Sequence, residues 1–565
     1  MNRSLILFSL LGIFLMAFSN ETEPAYPQDY FRSPVDRPIT LSGTFGELRS
    51  NHFHSGIDIK GSRGVGEPLY AIADGFISRI AVKPGGYGNA LYIDHPNGYT
   101  SVYAHLHKFS KPIAAYIKAQ QYKNRNFPLN DFPDRDLFPI KKGEIIGFLG
   151  NSGHSFGPHL HFEIRDTQTE EPINPLLFGY EIKDNTPPMI QELRIYHLND
   201  RAATLRTQTF TIRKSGSRHY ISKDTLEIES DFVGFGLKTY DQMDGVRNWN
   251  GVYTISVLEK DKVAYHFEIE RFSFDDKRYI NAHTDYGAWR KDKSRFNRTY
   301  LLPGNHLPVY ETNAQRGMIR VPEGQAIPIL IEAADASGNK SSIKTWVKKA
   351  KTEIFSEYTY NYHLPEGQEN IIMQGDAIVH FPAKAFYEEQ FLMFQREEGG
   401  SPYSDLFQLG DPDQPIHQGY ELKIEPRQLP ERYRDKALIA QCYEDGHYES
   451  LGGNWDGQYL VAKAWSFGDF CVILDTIPPT VQVLNPKSIM GKGYRLNFKI
   501  DDERSGINAY QAQVDGQWIL MEYDQKNDRL FHRFDGTIPS GKHQFTLTVT
   551  DRRNNQKTYQ TTFSN

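Results

Sequence analysis

"NALYIDHPNGYTSVYAHL", residues 89–106, has the alternation of apolar and polar side chains that is typical of β-strands. Pro96, Asn97 and Gly98 interrupt the alternation with residues that favour a tight turn, so a hairpin is predicted. Residues 68–82, "PLYAIADGFISRIAV", and residues 144–153, "EIIGFLGNSG", repeat the pattern between glycine-rich turns. Residues 40–182 are therefore predicted to form a compact β-rich domain.

Length and charge limit what the rest of the chain can be. With 565 residues, the chain is expected to contain about three to five domains of ~100–200 residues. It has 64 basic and 70 acidic residues, a formal net charge of -6, and no long block of one sign. This balance does not favour a nucleic-acid partner.

The N-terminus has the layout of a secretory signal peptide. Arg3 precedes an apolar run from about Leu5 to Phe18, and small residues stand at Ala17 and Ser19, so residues 1–19 are predicted to be removed. The alternative is an uncleaved membrane anchor, but the run is shorter than the ~20 residues that span a bilayer. We therefore expect an exported protein of the periplasm or cell envelope, without a stable membrane span after cleavage.

The chain contains two cysteines, Cys442 and Cys471. After export they could form one disulfide, and the alternative is a pair of buried thiols. Neither belongs to a CxxC pair, so cysteine is not expected to bind zinc. Any metal would be held by histidine and carboxylate.

A repeat organises the C-terminal part of the chain. "DNTPP" (184–188) recurs as "DTIPP" (475–479), "DQMDG" (241–245) matches "DERSG" (502–506), and "ADASGN" is matched by "TDRRNN" near the ends of the two segments. Short alternating strands between such turns favour immunoglobulin-like β-sandwiches. The prediction is an all-β chain, a β-sheet domain followed by β-sandwich accessory domains at 184–350 and 475–565, with a β-rich domain of uncertain topology at 352–474.

Histidines are crowded into the first domain, which contains eight of the 19. In "GPHLHFEIR", His159 and His161 should point to one side of a strand while the intervening leucine points to the other. An exposed strand face would give the same pattern. Zinc in catalytic sites takes three protein ligands and leaves a fourth position for water. His54 and Asp58 of "HSGID", with one of His159 and His161, match that count, and His105 could lie beside the metal.

At this point the first domain resembles the lysostaphin and LytM type of zinc metallopeptidases, metallopeptidase family 23, which are peptidoglycan endopeptidases. The matching phrases occur in the order of the family: "HSGIDI" (54–59), "AIADGFI" (71–77), "GGYGNALYIDHPNGYTSVYAHL" (85–106), "KKGEIIGFLGNSG" (141–153) and "GPHLHFE" (157–163).

The resemblance implies a division of roles within this set. His54, Asp58 and His161 would bind one Zn²⁺, and His105 and His159 would be catalytic histidines that do not bind the metal. It also implies an exported zinc-dependent endopeptidase that hydrolyses peptide cross-links or stem peptides of bacterial peptidoglycan. Two alternatives stay open: a non-enzymatic envelope regulator of a cell-wall amidase, and a zinc protease acting on secreted proteins. The C-terminal β domains could bind envelope protein partners.

Other residues near the motifs are expected to have structural roles. Glu163 could hydrogen-bond to a metal-binding residue without contacting the metal, or it could form a salt bridge at the strand edge. The insertion at 110–140 is predicted to be a short helix followed by a loop, which either walls one end of the cleft or is a surface loop. Structural roles are also expected for His52, His95, His107 and His154.

Overall fold

The computed structural model describes residues 25–215, 218–352, 354–355 and 359–565. Strands dominate, so the predicted all-β fold class is confirmed. The α-helices among the described residues are Lys111–Asn124, Ile280–His283 and Tyr286–Asp292. Within those ranges, no helix combines the length and the apolar character needed to cross a bilayer. The predicted signal peptide lies outside the described residues.

The first domain is built on a nine-stranded sheet with a smaller three-stranded sheet beside it. The path of the large sheet is Leu41–Gly43, Ile57–Lys60, His159–Asp166, Tyr99–Ala104, Asn89–Asp94, Gly75–Val82 and Leu129–Asp131, with Pro139–Ile140 and Pro172–Ile173 paired beside it. The small sheet is Pro68–Tyr70, Ile145–Phe148 and Lys108–Phe109, and a short hairpin is Leu48–Arg49 and His52–Phe53.

Strand His159–Asp166 lies between two antiparallel neighbours, Ile57–Lys60 and Tyr99–Ala104. Its apolar residues Leu160 and Phe162 are fully buried in the core that separates the two sheets. Because successive strand residues face opposite sides, the histidines of this strand lie on the other face of the large sheet. The core therefore fixes which side chains this face presents.

The insertion is more ordered than the sequence indicated. Its first half forms helix Lys111–Asn124, which buries Ile113 and Ile117. The second half was predicted to be a loop, and this was wrong in part, because Leu129–Asp131 pairs with the free edge of Gly75–Val82. Backbone pairing at an open sheet edge stabilises a strand that local sequence does not indicate.

The segment after the first domain contains two sheets around one core. One sheet consists of Thr204–Thr211, Met189–Leu198, Phe232–Tyr240, Asn297–Arg298 and Ile319–Arg320. The other consists of Arg213–Ser215, Arg218–Tyr220, Thr225–Ile228, Lys340–Lys349, Ala326–Ala334, Thr254–Glu259, Lys262–Glu268 and Tyr310–Thr312. Phe45 and Phe53 of the first domain pack into the same core, so the two units share a hydrophobic junction.

The middle segment has two five-stranded sheets and a short pair around a core of its own. The first sheet is Asn370–Gln374, Ala377–Phe381, Tyr420–Ile424, Tyr459–Ala464 and Asn454–Asp456. The second is Phe394–Glu397, Leu406–Leu409, Gly468–Leu474, Ala437–Cys442 and Tyr448–Gly452, and the pair is Tyr362–Leu364 with Gln390–Leu392. The thiols of Cys442 and Cys471 lie 3.1 Å apart between neighbouring strands of the second sheet.

The last segment is a sandwich of two four-stranded sheets. These are Thr480–Val483, Arg495–Asp501, Arg529–Arg533 and Glu522–Asp524, and Gln517–Trp518, Ile507–Val514, Lys542–Asp551 and Gln556–Ser564. Phe498 and Phe545 stack across the space between them, with ring centroids 5.6 Å apart. This sandwich folds back onto the first domain, where Trp518 packs edge-on against Tyr122 of the insertion helix.

Candidate metal centre

Three side-chain atoms form a small triangle on the polar face of the large sheet. The Nε2 atom of His54 lies 3.0 Å from Nδ1 of His161, and Oδ1 of Asp58 lies 3.1 Å from each of these nitrogens. All three residues are buried. Ligand atoms bonded at 2.0–2.2 Å to a tetrahedral zinc ion lie roughly 3.3 Å apart, so this donor set fits zinc.

The sheet register creates the triangle. His161 is directly opposite Asp58 in the antiparallel pairing, so both side chains emerge on the same face. His54 comes from the turn that precedes strand Ile57–Lys60. That turn requires glycine at position 56, because a Cβ atom there would lie 2.3 Å from the carbonyl oxygen of Phe162.

Hydrogen bonds behind the triangle set which nitrogen of each ligand ring faces it. The Nδ1–H of His54 donates to the carbonyl oxygen of Thr44 at 2.7 Å, which leaves Nε2 free for a metal. The Nε2–H of His161 donates to Oε1 of Glu163 at 2.8 Å, which leaves Nδ1 free. Such supporting bonds are common behind metal-bound histidines and raise their basicity.

Glu163 is fully buried, and its charge is compensated on both oxygens. Oε1 also accepts hydrogen bonds from Ser55, at 2.6 Å, and Tyr87, while Oε2 accepts from Arg165 at 2.6 Å. Burial alone would raise the pKa of this carboxyl, but Arg165 and His161 hold it well below its ordinary value. Glu163 is therefore an anion, which suits it to support His161.

Asp58 is held by a cation outside the triangle. Its Oδ2 atom accepts a hydrogen bond from Arg49 at 3.0 Å, while Oδ1 faces the three histidines. Burial would raise the pKa of Asp58, but His54, His159 and His161 hold it well below its ordinary value. The carboxylate is thus ionised, as a metal ligand must be.

Two further histidines lie beside the triangle. His105 directs Nδ1 to the carbonyl oxygen of Ser152 at 2.8 Å, and His159 directs Nδ1 to that of Gly157 at 2.9 Å. In the neutral rings these contacts leave both Nε2 atoms unprotonated. Burial, with His161 and His159 nearby, lowers the pKa of His105 to about 3. The His105 ring is therefore neutral, with Nε2 as a hydrogen-bond acceptor.

The backbone of His105 has an unusual conformation that determines where its ring lies. Its φ of 61° lies in the left-handed region, which costs a non-glycine residue about 1–2 kcal/mol. The residue directly follows strand Tyr99–Ala104, and its ring centroid is 4.8 Å from that of His159. The strain is consistent with a side chain that is placed for function.

Comparison with known proteins identifies the region that carries this geometry. The model for peptidase family M23 matches residues 52–122 and 138–175, and the gap falls within the insertion. A DD-carboxypeptidase/endopeptidase Mpg of Neisseria meningitidis is 37% identical over 129 residues, 23% of each chain. The peptidoglycan DD-endopeptidase ShyC of Vibrio cholerae is 28% identical over 147 residues, 25% of this chain and 27% of the relative. The first domain, hereafter the M23 domain, is thus similar in sequence to peptidases of family M23.

These similarities cover about a quarter of this chain, and the chain spans about a quarter of the length of those relatives. The catalytic domain of lysostaphin from Staphylococcus simulans matches with 23% identity and a TM-score of 0.20, covering 25% of this chain and 93% of that one. Residues 361–475 match the model for a Zu5-like domain.

The other histidines of the M23 domain have separate environments. His95 is bound by the carbonyl oxygen of Asp74 and by Ser101, each at 2.8 Å, in a structural role. His52 is exposed and contacts the carbonyl oxygen of Ser50. His107 and His154 are exposed on turns. None of these four is part of the triangle formed by His54, Asp58 and His161.

Sequence reasoning missed several supporting residues. Arg49, Tyr87 and Ser55 contact the site through side chains, and Thr44 and Ser152 contact it through carbonyl oxygens. None has a spacing that marks it, because each reaches the site from a turn or a neighbouring strand. Glu163 contacts both His161 and Arg165, and its salt bridge with Arg165 is buried rather than at a strand edge as expected.

We expect Glu163→Gln to weaken zinc binding about 10–100-fold, the usual effect of losing a supporting carboxylate. The amide keeps the shape of the side chain but removes the carboxylate that accepts the Nε2–H of His161 and so holds Nδ1 toward the triangle. Chelator competition on the folded variant, checked by circular dichroism, measures the change. Glu170→Gln is the matched control, because Glu170 pairs with the same Arg165 but is exposed. Unchanged zinc affinity in Glu163→Gln would count against this role.

The last sandwich reaches the loop that supports His105 and His159. The Lys526 ammonium group donates to the carbonyl oxygens of Asn151 and, at 3.2 Å, Ser155. The same loop provides the carbonyl oxygen of Ser152 to His105 and the hydroxyl of Ser155 to His159. Lys526 therefore links a distant domain to the positions of both rings.

Lys526→Ala should lower kcat several-fold while zinc content stays the same, because the loop behind the two rings loses its external support. A kinetic comparison with metal analysis tests this effect. The control is Lys557→Ala, which removes an exposed lysine from the last strand of the same sandwich. A faster variant would instead mean that the sandwich obstructs the cleft.

Proposed function

We propose that this protein is an exported zinc-dependent endopeptidase that hydrolyses peptide cross-links or stem peptides of bacterial peptidoglycan. The observation that carries the proposal is the triangle of His54, Asp58 and His161, with the rings of His105 and His159 beside it. A regulator that only binds would not need this complete set.

The roles of the residues follow from their geometry. His54, Asp58 and His161 would hold one zinc ion, which when bound lowers the pKa of a water molecule toward ~7 and polarises a carbonyl group. His105 and His159 lie where a free Nε2 can accept the proton of an attacking water. The protonated ring can then hydrogen-bond the developing oxyanion or return the proton to the leaving amine.

The substrate and location rest on the relatives and on the N-terminal sequence. The Neisseria relative is named a DD-carboxypeptidase/endopeptidase, and the Vibrio relative is named a peptidoglycan DD-endopeptidase. Together with the predicted signal peptide, this supports action in the periplasm or cell envelope. The accessory β domains would position the M23 domain there and provide surfaces for envelope protein partners.

Digestion of purified sacculi, with mass spectrometry of the released fragments, tests activity and identifies the cleaved bond together. We expect the mature zinc-loaded protein to release fragments from sacculi, His159→Ala to release none, and an unfolded protein substrate to stay intact in parallel. Cleavage of the protein substrate alone would indicate a protease acting on secreted proteins. A zinc-loaded parent without either activity would indicate a regulator and contradict the proposal.

A further inference from the structure

Each β-sandwich contains a cluster of three aspartates outside the M23 centre. Carboxylate oxygens of the three residues all lie within 4.8 Å of one another in both clusters. The aspartates occupy the repeated landmarks of the sequence, "DNTPP" with "DTIPP", "DQMDG" with "DERSG", and "DASGN" with "DRRNN". The first cluster is Asp184, Asp241 and Asp335, and the second is Asp475, Asp502 and Asp551.

The two clusters are held by the same backbone arrangement. Oδ1 of Asp335 accepts hydrogen bonds from the backbone N–H groups two and four residues later, and Oδ2 accepts from the Asn339 side chain. Asp551 and Asn555 repeat these bonds. The asparagine amide in each case also donates to the backbone carbonyl oxygen of the first aspartate of its cluster. The same arrangement is thus present twice.

Buried oxygen atoms without partners point to a missing ligand. Asp241 is 1% exposed and Asp475 is 0% exposed, yet among the described residues Oδ1 of the first and Oδ2 of the second have no hydrogen-bond partner. Asn250, 2% exposed and directly opposite Asp241, also lacks partners for its side-chain atoms within the described ranges. Such groups cost about 1–3 kcal/mol each unless something satisfies them.

The first cluster also has room for a ligand. Its three aspartates line a cavity of about 20 Å³, together with Thr44 and Asn174 of the M23 domain. That volume is enough for one water molecule or one ion. Burial and the neighbouring carboxylates of Asp184 and Asp335 raise the pKa of Asp241 to about 7.

The donor chemistry selects the class of ion. All the donors are oxygens, which hard cations prefer, and Ca²⁺ binds oxygen at about 2.3–2.6 Å. Two oxygens on one Ca²⁺ ion are at most about 5 Å apart, so carboxylate oxygens within 4.8 Å of one another can contact one such ion together. We propose that each three-aspartate cluster binds one calcium ion and that the two ions stiffen the junctions between the sandwiches and the domains before them.

Both clusters lie next to hydrogen bonds that join a sandwich to the domain before it. Beside the first, Thr44 of the M23 domain donates to the carbonyl oxygen of Gly251 at 3.2 Å. At the second, the backbone N–H of Asp475 donates to the carbonyl oxygen of Lys436 at 2.9 Å, and Arg553 donates to that of Gly453 at 3.1 Å. A cation at these points would join the segments that meet there.

Calcium titration of the mature full-length protein tests the proposal, after metal removal and restoration of one equivalent of zinc. We expect two calcium ions per chain by calorimetry. At a calcium concentration 100-fold above Kd, each site should raise the ratio of folded to unfolded protein about 100-fold. Asp241→Asn and Asp502→Asn should each remove one site. Asp261→Asn, on an exposed turn of the first sandwich, is the charge-matched control.

Stability measured without calcium distinguishes loss of a calcium site from misfolding of the variant. Asp241→Asn should be at least as stable as the calcium-free parent, because it removes one of three mutually repelling charges, yet it should lose the calcium-dependent gain. A parent that binds no calcium at millimolar concentration would overturn the proposal. Variants that retain both sites would also overturn it.

Discussion

Replacing His161 by alanine is expected to abolish zinc binding and to lower peptidoglycan cleavage at least about 10³-fold, because activation of water and carbonyl depends on the metal. His161 is at the centre of the site. Its Nδ1 atom lies 3.0 Å from Nε2 of His54 and 3.1 Å from Oδ1 of Asp58. Metal analysis of the purified variant and fragment release from sacculi measure the two effects.

His52→Ala is the matched control for this variant. His52 lies two residues before His54, but its ring is exposed and contacts the carbonyl oxygen of Ser50. It should keep one equivalent of zinc and the activity of the parent. If His161→Ala retained stoichiometric zinc and full activity, the triangle would not be the metal centre.

Alanine at His159 or at His105 is expected to separate metal binding from catalysis. Each substitution should lower kcat about 10²–10⁴-fold, the usual contribution of a general acid or base. Zinc content should stay near one equivalent, because neither Nε2 atom belongs to the triangle. Steady-state kinetics on a defined cross-linked muropeptide, together with metal analysis, give both values.

His107→Ala serves as the control for these two variants. It repeats the HxH spacing with His105 but is exposed on a turn. We expect it to retain parental kcat. Loss of zinc from His159→Ala would show that this ring binds the metal, and the division between ligands and catalytic histidines would then have to be redrawn.

The sequence predicted much of the site because its motifs carry spatial information. The two-residue period of "HLH" places His159 and His161 on one face, and the structure brings both beside His54, Asp58 and His105. The roles of the five residues stay predictions. Arg49 and Lys526 could not be predicted, because their contacts depend on how a turn and a distant domain pack against the site.

The repeat shows a different limit of sequence reasoning. The landmarks at Asp184, Asp241 and Asp335 predicted a duplicated sandwich, but their shared chemistry became visible only when folding brought them together. The docking of Tyr122 against Trp518 was also beyond local patterns, since the two residues are separated by most of the chain. Domain boundaries taken from composition stay predictions as well.

The direct opposition of His161 and Asp58 has a consequence for how this protein can evolve. Moving strand His159–Asp166 by one residue would exchange its two faces, so Leu160 would enter the cleft and His161 the hydrophobic core. A single-residue insertion or deletion there would therefore destroy the metal site and the core together. The match to the family model is instead interrupted at residues 123–137, where Leu129–Asp131 extends the edge of the sheet. Variation in this lineage should accumulate at that edge, while the length of the central strand stays constant.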